Sequence, residues 1–113
     1  MAGLPGLKTL KIKTGTCKRV HKELKSYEKE VERESAKTAS MRENGADQFD
    51  LKQQENVLVE SRMMVPDCRK RLEAAVADLE ALIAEVEDDE AMLETAELQA
   101  AKEVLADVKP CIS

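Results

Sequence analysis

This chain is short of the residues that turn, stack and coordinate. Among its 113 residues are one Tyr, one Phe and no Trp, so aromatics make up 2%. A β-sandwich or mixed fold draws on aromatic and β-branched side chains to fill its pleated faces, and this composition does not supply them. Gly occurs four times and Pro three times, and two of the glycines and one proline fall in the first six residues. So little turn chemistry permits few reversals, and the elements between them must be long. There is one histidine, His21, and the three cysteines, Cys17, Cys68 and Cys111, lack metal-ligand spacing, so no metal and no cofactor is expected. Free thiols in a cytosolic protein are the simplest reading. No run approaches the roughly 18 apolar residues of a membrane span. The opening "MAGLPGLKTLKIK" has no apolar stretch ahead of a cleavage site, which argues against a secretory signal. Ala2 argues against myristoylation, and Cys111, third from the end, stands one place off a prenylation box.

What is present is the vocabulary of long amphipathic helices. Glu, Lys, Ala and Leu dominate, and 36% of residues are charged. The clearest loop is "ENGADQ", with Asn44-Gly45 as a helix C-cap and reversal. A first helix is expected over about 7–43, roughly 55 Å long at 1.5 Å per residue. Gly15 is its weak point, at about 1 kcal/mol relative to Ala. Its heptad a positions are Leu10, Cys17, Leu24, Val31 and Thr38, and its d positions are Lys13, Val20, Tyr27, Glu34 and Met41. A second helix is expected over about 48–86, capped by Asp47 or Asp50. Its a positions, Leu51, Leu58, Val65, Leu72, Leu79 and Val86, are all apolar, and its d positions are Gln54, Ser61, Cys68, Ala75 and Leu82. This register passes through Pro66 without a phase change and leaves Pro66 on the outer face. One long helix kinked at Pro66 is therefore expected, rather than two helices. A third helix, capped by Asp88 or Asp89, is expected over about 90–108, with an apolar stripe of Leu98, Ala101, Leu105 and Val108, stopped by Pro110. No Gly or Pro separates it from the second, so an unbroken helix from Asp50 to Val108 is the alternative. The expected fold is a single all-α domain, an antiparallel up-down-up three-helix bundle of coiled-coil type.

Charge is segregated. Lys8, Lys11, Lys13, Lys18, Arg19 and Lys22 form a block without an acid, and Glu73 to Glu97 holds ten acids without a base. Two readings stand: the blocks pair within the molecule, where exposed pairs contribute about 0–1 kcal/mol each, or one of them faces a charged partner.

Catalytic constellations are missing. There is no Gly-rich phosphate loop, no His-x-x-x-His pair and no nucleophile elbow, and a narrow bundle lacks a cleft that excludes water. The chain is not expected to be an enzyme. With a net charge of −5 and a basic run free of aromatics, nucleic acid is not an expected partner, and the apolar face beside that run is too small for a membrane surface. Protein recognition remains. Val59, Met63 and Pro66 fall at i, i+4 and i+7 on the outer face of the second helix, with Arg62, Arg69, Lys70 and Arg71 flanking them. Methionine repacks easily and arginine is favoured at interfaces, so this stripe reads as a binding patch. The competing reading is that the third helix covers it as ordinary core.

Two segments, "KIKTGTCKRVHKELKSYEKE" (11–30) and "ESRMMVPDCRKRLEAA" (60–75), carry more than periodicity. A generic coiled coil has no reason to place Met-Met-x-Pro-Asp-Cys inside a regular heptad. Both segments resemble the tubulin-binding cofactor A family, over the first helix and most of the second, with weaker similarity to about Lys109. The resemblance implies a monomeric or weakly dimeric three-helix bundle and a non-catalytic, cytoplasmic role at the microtubule cytoskeleton. It implies capture of β-tubulin after the cytosolic chaperonin and transfer to other tubulin-folding cofactors, with helical surfaces making the contact. Pro66 would then bend the second helix into a platform for an acidic, incompletely folded partner. The alternative is a structural coiled-coil module for oligomerisation or scaffolding, an obligate oligomer where the chaperone keeps its own core.

Overall fold

The computed structural model describes residues 6–112; the N-terminal expectations at residues 1–5 lie outside them. Every regular element described is an α-helix: α1 (Leu7–Glu43), α2 (Gln48–Val86), α3 (Glu90–Leu93) and α4 (Ala96–Ile112). Local chemistry sets the ends. Gly45 takes φ of 69°, which only glycine adopts freely. This lets Ala46 N–H reach the Met41 carbonyl at 2.9 Å and Gly45 N–H the Arg42 carbonyl at 3.3 Å, the paired bonds that close α1. Asp47 then caps α2, its carboxylate accepting from Phe49 N–H at 3.1 Å.

The region after α2 differs from the sequence expectation. A single helix over 90–108 is replaced by α3, four residues capped by Asp89, and by α4, which starts at Ala96. Thr95 makes the break. Its hydroxyl donates to the Met92 carbonyl at 2.8 Å and accepts from Leu98 N–H at 3.2 Å, so it ends one helix and caps the next. Nor does Pro110 stop α4, which runs to Ile112. Ile112, four residues beyond buried Val108 on the same face, is half-buried, and that packing offsets the bond the proline cannot make.

The chain divides into two compact units, Met1–His21 with Lys70–Ser113, and Lys22–Arg69. The first is built from the start of α1, the end of α2, α3 and α4, and carries a dense core. Leu10, Cys17, Leu72, Leu79, Met92 and Ala101 have no measurable exposure, and Leu98 and Val108 have 1%. The α2 stripe widens here: Val76 and Ile83, at heptad position e, are buried alongside the a positions. The e positions before them are Glu55, Arg62 and Arg69, so the sequence changes from charge to apolar at this point. On α4 the buried residue is Val104, where Leu105 was expected and is half-buried. Lys109 reaches Glu80 at 2.8 Å and Lys102 reaches Glu87 at 3.6 Å. Of the basic block, Lys13 meets the acidic block, at Asp78, 3.6 Å away.

The second unit is a helical hairpin with a thin, polar interior. Among the described residues its buried apolar side chains are Leu24, Leu58 and Cys68, while Thr38, Gln54 and Ser61 are buried with them. Each polar group needs a partner in such a place. Thr38 hydroxyl donates to the Glu34 carbonyl at 2.7 Å, and Gln54 Nε2 donates to Glu34 Oε2 at 2.7 Å. These bonds satisfy Thr38 and Gln54 but add little apolar burial, so this unit has the smaller share of hydrophobic stabilisation.

The α2 helix runs unbroken through Pro66. The proline lacks an N–H, so the carbonyl of Arg62, four residues back, goes without its helical partner. Pro66→Ala is expected to stabilise the protein by about 1–3 kcal/mol, the upper figure being the full interior penalty. The midpoint of urea denaturation should rise accordingly; an unchanged or lower midpoint would mean that the native backbone at this turn is built around the proline.

Candidate protein-recognition face

The apolar residues of α2 that fall outside its a/d seam are what distinguish the second unit. A helix that only packed in a hairpin would make its outer face polar. This one does not: Phe49 is 70% exposed, Met63 68% and Val59 52%, and Val57 and Met64 are exposed as well. Val59 and Met63 are one turn apart, and Pro66, also exposed, continues their line. Val57 and Met64, at i and i+7, make a second line beside it. The reading of this stripe as core under the third helix does not hold for Val59 and Met63, which stay open to solvent.

The basic residues distribute unevenly around it. Arg62 lines an open hollow with Glu28, Val31, Val65 and Pro66, so its stem edges the apolar line. Arg69 is engaged by Glu28 at 3.8 Å, an exposed pair of small energetic weight. Lys70 and Arg71 are exposed but belong to the first unit. Along the helix Lys70 follows Met63 at i+7, whereas Arg71 follows Met64 and lies on the neighbouring strip. The compact set in the second unit is therefore Val59, Arg62, Met63 and Pro66, with Arg69 at its margin. Phe49, Val57 and Met64 escaped the sequence reading, although apolar residues at non-seam positions f and g were their signal.

Such a surface can hold a protein chain. His21 is half-buried, with Nε2 3.3 Å from Cys111 Sγ in the first unit. Among the described residues no three His, Cys, Asp or Glu side chains gather as metal ligands, and no helix is long and apolar enough to cross a membrane.

A family model described as Tubulin binding cofactor A matches residues 5–105. The chain belongs to the tubulin binding cofactor A family. It is 62% identical over 103 residues to the Tubulin-folding cofactor A of Arabidopsis thaliana, covering 91% of this chain and 90% of that one. It is 42% identical to the human Tubulin-specific chaperone A, over 93% and 94% of the two chains. Among solved structures, the crystal structure of tubulin folding cofactor A from Arabidopsis thaliana superposes with a TM-score of 0.86, covering 92% of this chain and 95% of that one. The tubulin-binding cofactor A of Leishmania major, 32% identical, gives 0.77 over 98% and 100%. For this cofactor A family member, the matched residues include the whole outer face of α2 from Phe49 to Arg69.

Thiol chemistry gives a check on the core of this cofactor. Cys17 and Cys68 are buried and Cys111 is exposed. Burial pushes the Cys17 thiol above its ordinary pKa, and the nearby Asp78 carboxylate pushes it further the same way. A raised folded-state pKa favours the protonated form, so its contribution to stability is complete below the pKa of a free thiol and fades as pH rises through the raised value. In native protein at mildly alkaline pH, an aromatic disulfide reagent should label one thiol per chain quickly, at Cys111, and the other two only on unfolding. Fast labelling at Cys17 would contradict the packing described here.

Proposed function

We propose that this protein is a non-catalytic tubulin chaperone that captures β-tubulin folding intermediates after the cytosolic chaperonin and passes them on for α/β-tubulin assembly. The observation that carries the reading is an exposed apolar line, Val59 and Met63, on a member of a family whose relatives are named for tubulin folding. An incompletely folded client presents apolar surface of irregular shape, and methionine adapts to such surfaces at little cost. Arg62 and Arg69 supply directional contacts to acidic groups at the edge. Lys70 and Arg71 extend the basic margin in this reading. Nucleotides, metals and cofactors take no part, and neither do nucleic acids or membranes. The protein works in the cytoplasm as a monomer or weak dimer and meets other tubulin-folding cofactors as it releases its client.

The architecture that suits this role is an antiparallel up-down-up three-helix bundle with α2 bent at Pro66. The Lys13–Asp78 and Glu80–Lys109 pairs support the side-by-side order of α1, α2 and α4. The missing amide hydrogen at Pro66 supports the bend. A native capture assay tests the function: the protein, incubated with newly released β-tubulin and separately with α/β-tubulin, should retain the released β-tubulin. Retention of neither would favour a coiled-coil scaffold.

A further inference from the structure

We infer that the first unit carries a second docking surface, a hollow between α1 and α4 that receives an extended acidic segment of a protein partner. The hollow is lined by Lys11, Thr14, Gly15 and Lys18 from α1 and by Ala96, Glu97 and Ala100 from α4. It belongs to a different unit from the Val59–Met63 line and does not depend on the tubulin reading.

Gly15 is the first clue. It lies inside a long helix, where glycine is a poor choice, yet nothing local requires it. Its φ is not in the positive region, and a Cβ built there would meet no atom within 4 Å. Glycine here serves neither a turn nor a close helix contact, and its effect is to deepen the hollow. Ala96 and Ala100, both exposed, keep the opposite wall low.

Charge is the second clue. Lys11, Gly15 and Lys18 run along one face at i, i+4 and i+7, and Lys8 and Arg19 stand beside them, all exposed. Three other lysines of this unit pair with acids, Lys13 with Asp78, Lys102 with Glu87 and Lys109 with Glu80, whereas Lys70 stands apart on α2. Among the described residues Lys8, Lys11, Lys18 and Arg19 have no carboxylate within ion-pair distance. The exposed Ile12 lies between Lys8 and Arg19, so the basic rim also offers apolar contact. Lys11 and Lys18 are separated by about 10 Å of helix axis. A peptide in polyproline II form repeats a side chain on one side every third residue, about 9 Å apart. Two acids spaced as Glu-x-x-Glu would therefore reach both lysines while their backbone crosses Gly15. Glu97 is the one acid on the lining, and it sets the ligand's carboxylates on the α1 side.

The probe is a fluorescent hexaglutamate peptide, titrated into the full chain and followed by anisotropy. Binding that weakens with added salt is expected, because the contacts are exposed ion pairs. Lys11→Glu with Lys18→Glu should weaken it about tenfold or more. Lys37→Glu with Lys52→Glu, the same charge change in the second unit, should alter it less than about twofold. Gly15→Leu fills the hollow, favours the helix and should abolish binding without loss of fold. Glu97→Gln should tighten binding. Absence of binding to the unaltered protein would overturn the inference. So would an equal loss in the Lys37–Lys52 control, or capture of anionic vesicles by a protein that ignores the peptide.

Discussion

Replacing Leu79 with alanine is expected to cost about 2–5 kcal/mol, a large share of the 5–15 kcal/mol by which a domain of this size is usually stable. Leu79 has no exposure and sits at the a position of α2 in the unit with the dense core. Truncation removes its buried surface and leaves a cavity in a close-packed core, where Val76 and Ile83, each about one turn away on the same helix, are also buried. Leu58→Ala, in the hairpin unit, should cost about half as much. Leu58 retains 8% exposure and shares its interior with Gln54 and Ser61, so less apolar contact is lost. Urea denaturation followed by far-UV circular dichroism gives both values. Equal losses would mean that the hairpin is packed as tightly as the first unit.

The second large effect is on binding. Val59→Glu combined with Met63→Glu should reduce capture of β-tubulin by about a hundredfold or more, with helicity unchanged. Each side chain is worth about 1.5–3 kcal/mol when fully buried against a partner, and a buried carboxylate without a counter-charge adds a desolvation penalty. Both positions are exposed in the free protein, so the fold tolerates the charge. Residues at the centre of an interface carry most of its energy, which is why two changes suffice. Capture by the double variant at full strength, with circular dichroism unaltered, would move the recognition surface off this face.

The all-helical class is legible in the sequence because its evidence is local and repeated. Scarce Gly and Pro, unbroken heptads and the Asn44-Gly45 reversal point one way. The break between α3 and α4 is not legible in the same sense. It rests on a single hydroxyl, Thr95, within a run of helix-forming residues, and threonine caps a helix only when its backbone leaves the helical region. Met92 is fully buried although Glu90 and Glu94 lie two positions to either side, because α3 turns one side chain into the core. The shift of the e position from Arg69 to Val76 could have marked where α2 begins to serve two neighbours. At the candidate face, Val59 and Met63 stand out from their spacing alone. The pairing of Arg69 with Glu28 does not, since it joins residues far apart in sequence.

The most direct test of the proposed recognition face is methionine-oxidation footprinting of the protein alone and in the presence of β-tubulin. Peroxide converts accessible methionine to the sulfoxide, which mass spectrometry locates by residue. In the free protein, Met63 and Met64 should oxidise rapidly and Met92, with no exposure, slowly. In the complex, Met63 and Met64 should be protected while Met92 is unchanged. If Met63 oxidises as fast in the complex as in the free protein, the outer face of α2 is not where this protein holds its client.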